Sequence, residues 1–213
     1  MAQTDRALVG GHHGHAGSEK RISPFLPLTN PVFSAPSPWL TRWAHLIPLG
    51  SHVLDLACGS GRHMQFLKNQ GFDVLGVDRD ESALVSAQQF GEVLCADLEN
   101  AAWPLTDHQF DAVVVTNYLW RPTWTALLAC LKPNGVLIYE TFAQGNETVG
   151  KPSRPDFLLN RSELLHLCCD LRVVAFEDVF MHSPDRYVQR VVAVNTDSND
   201  QRFVPAPSTA QKS

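Results

Sequence analysis

Several features that mark particular protein classes are missing from this sequence of 213 residues. No apolar stretch reaches the ~20 residues that a membrane-spanning helix needs. The N-terminus lacks the basic and then apolar layout of a secretory signal peptide, so we expect a cytoplasmic protein with no membrane partner. The net charge of −5 excludes the overall basic field that binding to a nucleic-acid backbone usually needs, although a local basic patch would not show in this total.

The sequence has five cysteines but no Cys-x-x-Cys pair. The cysteines are Cys58, Cys95, Cys130, Cys168 and Cys169. All lie in or beside apolar runs, so we expect reduced and buried side chains. No spacing of histidines or cysteines typical of a zinc site occurs either, and the sequence therefore indicates no catalytic metal.

What is present predicts one folded domain between two polar tails. Residues 1–22 are rich in glycine, histidine and charge, and residues 196–213 are polar with proline and serine. We expect both tails to be disordered and the domain to occupy residues 23–195. Its first part, residues 23–39, contains five prolines among apolar residues, which favours an extended segment that packs on the domain.

Strand and helix patterns alternate along this domain. Strands are predicted at 53–57, 74–77, 93–95, 110–116, 136–140, 171–176 and 188–194, and helices at 38–46, 61–70, 82–90, 123–131 and 162–168. The alternation predicts an α/β fold with a doubly wound, mostly parallel, seven-stranded sheet covered by helices on both faces. No helix separates the last two strands, so we expect an antiparallel hairpin at one edge.

A glycine turn follows the first predicted strand. Gly59-Ser60-Gly61 can bring the backbone close to a ligand at the carboxyl edge of the sheet, and the next helix begins there. Asp55 lies late in the apolar strand, where a carboxylate needs partners. It either caps N–H groups of the glycine turn or holds an ammonium group of a ligand, and both roles are compatible.

Acids also stand at the tips of the next two strands. Asp78 ends the second strand, where it is placed either to accept both hydroxyls of a ribose or to cap the following helix. Asp97 and the N–H of Leu98 could pair with the edge of an adenine, or Asp97 could be a turn residue. Met64 stands where a dinucleotide motif has its third glycine, so an amino-acid-bearing nucleoside fits better than NAD.

Five motifs resemble the class I S-adenosylmethionine-dependent methyltransferases, which implies a Rossmann-like fold. They are VLDLACGSGRH (53–63), VLGVDRD (74–80), CADLEN (95–100), FDAVVVTNYLW (110–120) and LKPNGVLIYETF (131–142). The runs TFAQGNE (141–147) and PDFLL (155–159) are similar to a bacterial subgroup of small methyltransferases related to tellurite-resistance methyltransferases.

The resemblance implies a role for each matching position. The methionine part of S-adenosylmethionine would be lined by Asp55, Ala57, Gly59 and Gly61. Asp78 would bind the ribose. Arg79 would flank the adenine, Asp97 and Leu98 would bind its edge, and Asn117 would close the pocket. His63 could touch the carboxylate of S-adenosylmethionine, or it is simply a residue of the first helical turn.

Residues at the tips of the fourth and fifth strands are the candidates for the acceptor side. Asn117 and Tyr118 are candidate catalytic residues, with Arg121 nearby; Glu140 could be a base or the partner of an ion pair. The loop at 143–157 and the segment at 23–39 are candidate lids. Four tryptophans could wall an acceptor pocket or pack in the core: Trp39, Trp43, Trp120 and Trp124.

We therefore expect a methyltransferase that uses S-adenosylmethionine and acts on a small molecule. The alternatives are an rRNA, tRNA or protein methyltransferase, a non-catalytic domain that binds S-adenosylmethionine, and a NAD-type oxidoreductase, which Met64 and Asp55 disfavour. The sequence leaves open the acceptor, the methylated atom and the oligomeric state.

Overall fold

The computed structural model of the chain describes residues 34–196. The tail predicted at 1–22, all but the first residue of the tail predicted at 196–213, and most of the proline-rich segment lie outside the described residues. None of the helices within 34–196 has the length and apolar character needed to cross a membrane.

The described part contains a seven-stranded sheet, which confirms the predicted fold class. The strands are β1 (His52–Leu56), β2 (Asp73–Asp78), β3 (Glu92–Cys95), β4 (Phe110–Thr116), β5 (Leu131–Phe142), β6 (Arg172–Met181) and β7 (Arg186–Val194). Their order is β3-β2-β1-β4-β5-β7-β6. The first five are parallel, and β7 runs antiparallel to both β5 and β6, as the missing helix between the last two strands predicts.

Helices cover both faces of this sheet. They are α1 (Pro38–Trp43), α2 (Arg62–Asn69), α3 (Glu81–Ala87), α4 (Trp124–Ala129) and α5 (Glu163–Leu167). The first three pack in one hydrophobic core, and the last two pack in the other. Ser37 caps α1 by accepting the Trp39 N–H at 3.1 Å, and Pro38 occupies the first helical position.

The side chains of β1 alternate between the two cores. Leu54 and Leu56 belong to the core of α4 and α5, whereas Val53 belongs to the core of α1, α2 and α3. Because alternate residues of a strand share a face, Asp55 lies on the same face as Val53. This places its carboxylate towards α2, beside the start of that helix.

Several predicted boundaries differ from the structure by a few residues, among them the end of α4 and the start of α5. α4 ends at Ala129 rather than 131, because Leu131 already pairs with Phe110 and β5 runs to Phe142 through an irregular register. α5 begins at Glu163, because Ser162 has a left-handed φ of 56° and forms no side-chain cap. Only half of a capping box is present there: Glu163 Oε2 accepts the Asn160 N–H at 2.7 Å.

The expectation that all cysteines are buried is wrong for two of them. Cys58, Cys130 and Cys168 are buried, whereas Cys95 and Cys169 are exposed. Cys95 is the last residue of β3, an edge strand, and Cys169 follows the end of α5. Apolar neighbours in the sequence therefore do not predict burial of a cysteine at the end of an edge strand or after the end of a helix.

Candidate active site

The glycine turn between β1 and α2 uses its two glycines differently. Both have positive φ, 54° at Gly59 and 86° at Gly61. A Cβ on Gly61 would lie 2.9 Å from Ala87 Cα, so this glycine lets α2 approach α3. A Cβ on Gly59 would meet nothing within 4 Å, which leaves its backbone open.

Asp78 ties this turn to the tip of β2. Its Oδ2 accepts the Gly59 N–H at 2.8 Å, and its Oδ1 accepts the Asp80 N–H at 3.0 Å. The helix cap of α3 is Asp80, which accepts the N–H groups of Ser82 and Ala83. The bond to the glycine turn that the sequence allowed for Asp55 therefore comes from Asp78, and the cap that it allowed for Asp78 comes from Asp80.

A cavity of about 430 Å³ opens at the glycine turn. The predicted cofactor residues that line it are Ala57, Gly59, His63, Asp78 and Asn117. Arg62 and Ser34 also line it, so the described end of the proline-rich segment borders this cavity. The same segment is held by Arg62, whose Nη1 donates to Ala35 O at 3.2 Å.

An adjoining cavity of about 160 Å³ lies at the tips of β2 and β3. The predicted residues that line it are Ala57, Asp78, Arg79, Asp97 and Leu98. Asp97 also serves as a turn residue, because hydrogen bonds from the Asn100 amide and from the N–H groups of Glu99 and Asn100 lower the pKa of its carboxyl. The turn interpretation of Asp97 is confirmed, and its pairing with an adenine edge stays a prediction.

Asp55 and Gly61 line neither cavity. The Asp55 side chain is 1% exposed, and its two carboxylate oxygens have no hydrogen-bond partner among the described residues. Its Oδ1 lies 3.8 Å from His63 Nδ1, so Asp55 stands behind the wall that His63 forms. A buried carboxylate without partners is costly and is typical of a functional position.

His63 is held in one tautomer. Its Nε2 accepts the N–H of Ser37 at 3.2 Å, which requires a lone pair on that nitrogen. The proton of the neutral ring is then on Nδ1, which lies 3.3 Å from Thr116 Oγ1. The ring is 2% exposed and joins α1, α2 and β4 at the back of the larger cavity.

Glu140 is the centre of a buried ion-pair network. Its Oε2 lies 3.3 Å from Arg190 Nη1 and its Oε1 lies 3.9 Å from Arg186 Nη2, while the Ser37 hydroxyl donates to Oε1 at 3.1 Å. Arg190 in turn pairs with Glu177. The ion-pair interpretation thus describes Glu140 well, and its role as a base stays a prediction.

A third cavity, of about 250 Å³, lies between the tips of β4 and β5. Asn117 and Tyr118 line it and also line the 430 Å³ cavity, and Tyr118 lines the 160 Å³ cavity as well. Burial, with the nearby carboxylates of Glu99 and Asp97, raises the pKa of Tyr118. Its hydroxyl therefore stays protonated, and it is buried with no hydrogen-bond partner among the described residues.

The loop predicted as a lid forms one wall of this third cavity. Pro152 and Phe157 line it, together with Thr141 and Phe142 at the end of β5. No sequence pattern had indicated that these four side chains lie on the acceptor side. The placement of prolines and Phe157 inside a long loop was the available signal, but nothing local indicated which of them face a cavity.

Two side chains fix this wall by donating to its backbone carbonyls. Asn146 is 1% exposed, donates to Pro152 O at 2.9 Å and accepts the Tyr187 N–H at 3.2 Å. Arg121 donates to Asp156 O and Leu158 O, each at 2.9 Å, and pairs with Glu163. Arg121, considered for the acceptor side, is therefore occupied in holding the loop.

The tryptophans line none of these three cavities. Trp39, Trp43 and Trp124 are buried, and Trp39 and Trp124 donate their indole N–H groups to Val191 O and Leu167 O. Trp120 is half-buried. The core interpretation of Trp39, Trp43 and Trp124 is confirmed.

Comparison with known families agrees with this geometry. Residues 53–135, which run from β1 into β5, match a family model described as a methyltransferase domain. Over these residues the chain is similar to methyltransferase domains. The matched range includes the glycine turn, the three acidic strand tips and Asn117, so the predicted cofactor residues all fall inside it.

Relatives of the chain are found among sequences and solved structures. YqeM of Bacillus subtilis (strain 168), provisionally named a methyltransferase, is 33% identical over 120 residues, which cover 50% of this chain and 49% of that protein. The chain spans about half the length, or less, of the curated relatives it matches.

Two solved structures share the fold. TehB from Haemophilus influenzae superposes with a TM-score of 0.60 and is 19% identical in sequence. The match covers 71% of this chain and 59% of the TehB chain. A SAM-dependent methyltransferase from Methanosarcina mazei has a TM-score of 0.59 and 16% identity, over 76% of this chain and 99% of its own. Because both sequence identities are this low, the likeness supports a shared fold and not a shared substrate or activity.

Proposed function

We propose that this chain binds S-adenosylmethionine and transfers its methyl group to a small-molecule acceptor. The observation that carries the proposal is the pair of adjoining cavities at the glycine turn, which share Ala57, Asp78 and Tyr118 in their walls. A nucleoside that bears an amino acid has two parts, and the two adjoining cavities offer one place for each part.

The smaller cavity suits the nucleoside. Asp97 and Leu98 stand at its edge, and Arg79 flanks it with a side chain that is 67% exposed. Asp78 lies between the two cavities and uses its carboxylate for two backbone N–H groups. A carboxylate has about four acceptor positions, so acceptor capacity remains for ribose hydroxyls.

The larger cavity suits the amino-acid part. Arg62 lines it; burial lowers the pKa of its guanidinium, and the carboxylates of Asp55 and Glu140 oppose this shift. The unpaired carboxylate of Asp55, held behind His63, supplies negative charge beside an ammonium group. Positive charge at Arg62 is suited to the carboxylate of the same amino acid.

The position of Met64 argues against a dinucleotide. In a dinucleotide motif the third glycine lets the helix pack closely on the strand. Here Met64 is fully buried, and the space for it is made by Gly76 of β2, where a Cβ would lie 2.4 Å from the Met64 sulfur. The helix is therefore spaced from the sheet by a methionine side chain.

Methyl transfer from a sulfonium needs no covalent intermediate with the protein. The bound sulfonium supplies an activated methyl group together with its leaving group. The side chains of this chain would hold the two reactants in line and exclude water, with Asn117 and Tyr118 at the junction between the cavities.

Two measurements test the proposal. Calorimetry should detect one site for S-adenosylmethionine and none for NAD. An assay with radiolabelled S-adenosylmethionine on cell lysate should label the small-molecule fraction. Label that appears only in RNA or protein would contradict the small-molecule acceptor while leaving methyl transfer intact.

A further inference from the structure

We propose that the 250 Å³ cavity between β4 and β5 binds the methyl acceptor and selects a small, uncharged nucleophile with an apolar ring. This inference rests on the proposed function, because it assigns the partner of the same reaction. It adds the charge and the size of that partner, which the proposed function itself leaves open.

The cavity is next to the position expected for the donor. Asn117 and Tyr118 line both this cavity and the 430 Å³ cavity at the glycine turn. Asn117 has a left-handed φ of 55°, and its N–H donates to Glu140 O, so the tip of β4 is fixed against β5. A ligand in each cavity would be separated only by this tip.

The walls are mostly apolar. Leu119, Phe142, Pro152 and Phe157 supply the apolar surface. Asn117 and Thr141 can orient a heteroatom of the ligand by hydrogen bonding. A few polar groups in an apolar cavity are typical of sites that fix the orientation of a small molecule.

The charge of the acceptor follows from the same walls. Among the described residues, neither lysine nor arginine lines this cavity, and the one carboxylate that does, Glu99, lies 3.8 Å from Arg79 Nη1. An anionic acceptor would be buried without a partner, which is costly. A protonated amine has no lone pair to react, so the uncharged form is the one that fits.

The size follows from the volume. A cavity of about 250 Å³ equals roughly eight water molecules at ~30 Å³ each. This is room for a single ring with one or two substituents. The walls are also fixed, because Asn146 holds Pro152 and Arg121 holds the carbonyls on both sides of Phe157.

The transfer step balances with an uncharged acceptor. The acceptor's lone pair forms the bond to the methyl carbon while the carbon–sulfur bond of the donor breaks and sulfur keeps its electron pair. The methylated acceptor carries the positive charge until it releases a proton to water. The Glu99 carboxylate in the wall favours that short-lived cation.

A pair of fluorinated probes tests charge and place directly. The full chain is saturated with S-adenosylhomocysteine, and binding of 4-fluoroaniline and of 4-fluorobenzoate is followed by fluorine NMR. Both probes are single rings of similar size, and only the second is charged at neutral pH. We expect the aniline to bind at least tenfold more tightly and to give intermolecular NOEs to Leu119 and Phe157.

Matched variants sharpen the test. Phe157→Trp should fill the cavity and weaken binding of 4-fluoroaniline about tenfold, with unchanged affinity for S-adenosylhomocysteine. Phe180→Trp, on β6 and 38% exposed, is the control and should change neither. If Phe157→Trp also loses S-adenosylhomocysteine, the NOEs on the unmodified protein decide the location.

The outcomes separate the two proposals. Equal binding of both probes, or NOEs to another part of the protein, would overturn this inference while S-adenosylhomocysteine binding upholds the donor site. Absence of S-adenosylhomocysteine binding would overturn the proposed function and this inference with it.

Discussion

The two ends of the carboxyl edge of the sheet are built in opposite ways. At the glycine-turn end, carboxylates accept from backbone N–H groups: Asp78 from Gly59 and Asp80, and Asp97 from Glu99 and Asn100. At the β5 end, side-chain donors bind backbone carbonyls: Asn146 binds Pro152, and Arg121 binds Asp156 and Leu158.

This difference separates two tasks. The first arrangement keeps negative charge and open backbone at the edge, which suits a polar ligand with hydroxyls and an ammonium group. At the β5 end, the polar side chains form hydrogen bonds within the protein, so the surface left for a ligand there is mostly apolar. This difference supports the proposal of a polar donor site and an apolar acceptor site side by side on one edge.

The largest effect that we expect is on the ion-pair network at the β5 end. Glu140→Ala removes the buried carboxylate that pairs with Arg190 and Arg186 and leaves Arg190 with Glu177 alone, so the free energy of unfolding should fall by about 3 kcal/mol in urea denaturation. Asp156→Ala removes an ion pair with Arg154 in which both side chains are mostly exposed, and should change nothing measurable. Similar losses in the two variants would contradict the buried network.

The next effect concerns the glycine-turn end. Asp78→Ala removes the acceptor of the Gly59 N–H and the predicted acceptor of the ribose hydroxyls, so affinity for S-adenosylmethionine should fall roughly a hundredfold, about 2.7 kcal/mol, by calorimetry. Asp80→Ala loses the cap of α3 and should lower stability while leaving the affinity nearly unchanged. An unchanged affinity in Asp78→Ala would refute the ribose assignment.

A smaller effect at the β5 end should lower the rate of methyl transfer without changing the affinity for S-adenosylmethionine. Arg121→Ala frees the loop at Phe157, so stability should fall by about 2 kcal/mol and labelled-methyl transfer about tenfold, with unchanged affinity for S-adenosylmethionine. The exposed Arg161 in the same region gives the control Arg161→Ala. Equal activity of the two variants would show that the wall need not be fixed.

The smallest effect is on the pH dependence of stability. Burial opposes ionisation of Glu163, yet hydrogen bonds from Arg121 and Asn160 lower the pKa of its carboxyl below the ordinary 4.5. A carboxyl with a lowered folded-state pKa adds stability above its unfolded pKa, and this is lost as the pH falls through the folded pKa.

Glu163→Gln should therefore be less sensitive to acid than the unmodified protein. Its free energy of unfolding should change less between about pH 5 and pH 3, measured by urea titration at each pH. Glu92→Gln, at an exposed position of β3, is the control. A parallel decline in the unmodified protein and in Glu163→Gln would contradict the role of the Arg121 bond.

The glycine-turn end was predictable because its residues follow strand tips. Neighbouring parallel strands bring their carboxyl ends together, so an acid after β2 had to lie near the turn after β1. This is why Asp78, nineteen residues after Gly59, could be placed beside it. The sequence alone could not assign the bond to the glycine turn to Asp78 and the cap of α3 to Asp80, because this depends on where each side chain points.

The β5 end was much less predictable because its contacts join distant residues. Asn146 and Tyr187 are 41 residues apart, and Arg121 and Glu163 are 42 apart. No periodicity or local motif encodes such a pair, since each depends on how the loop returns to the hairpin. The sequence could indicate a long loop near the acceptor, but not that it is a fixed wall.

Titration calorimetry of S-adenosylmethionine and of NAD, on the unmodified chain and on Asp78→Ala, tests the central claim most directly. The account predicts one site for S-adenosylmethionine on the unmodified chain, its loss or roughly hundredfold weakening in Asp78→Ala, and no heat of binding for NAD. Saturable binding of NAD, or none of S-adenosylmethionine, would contradict it.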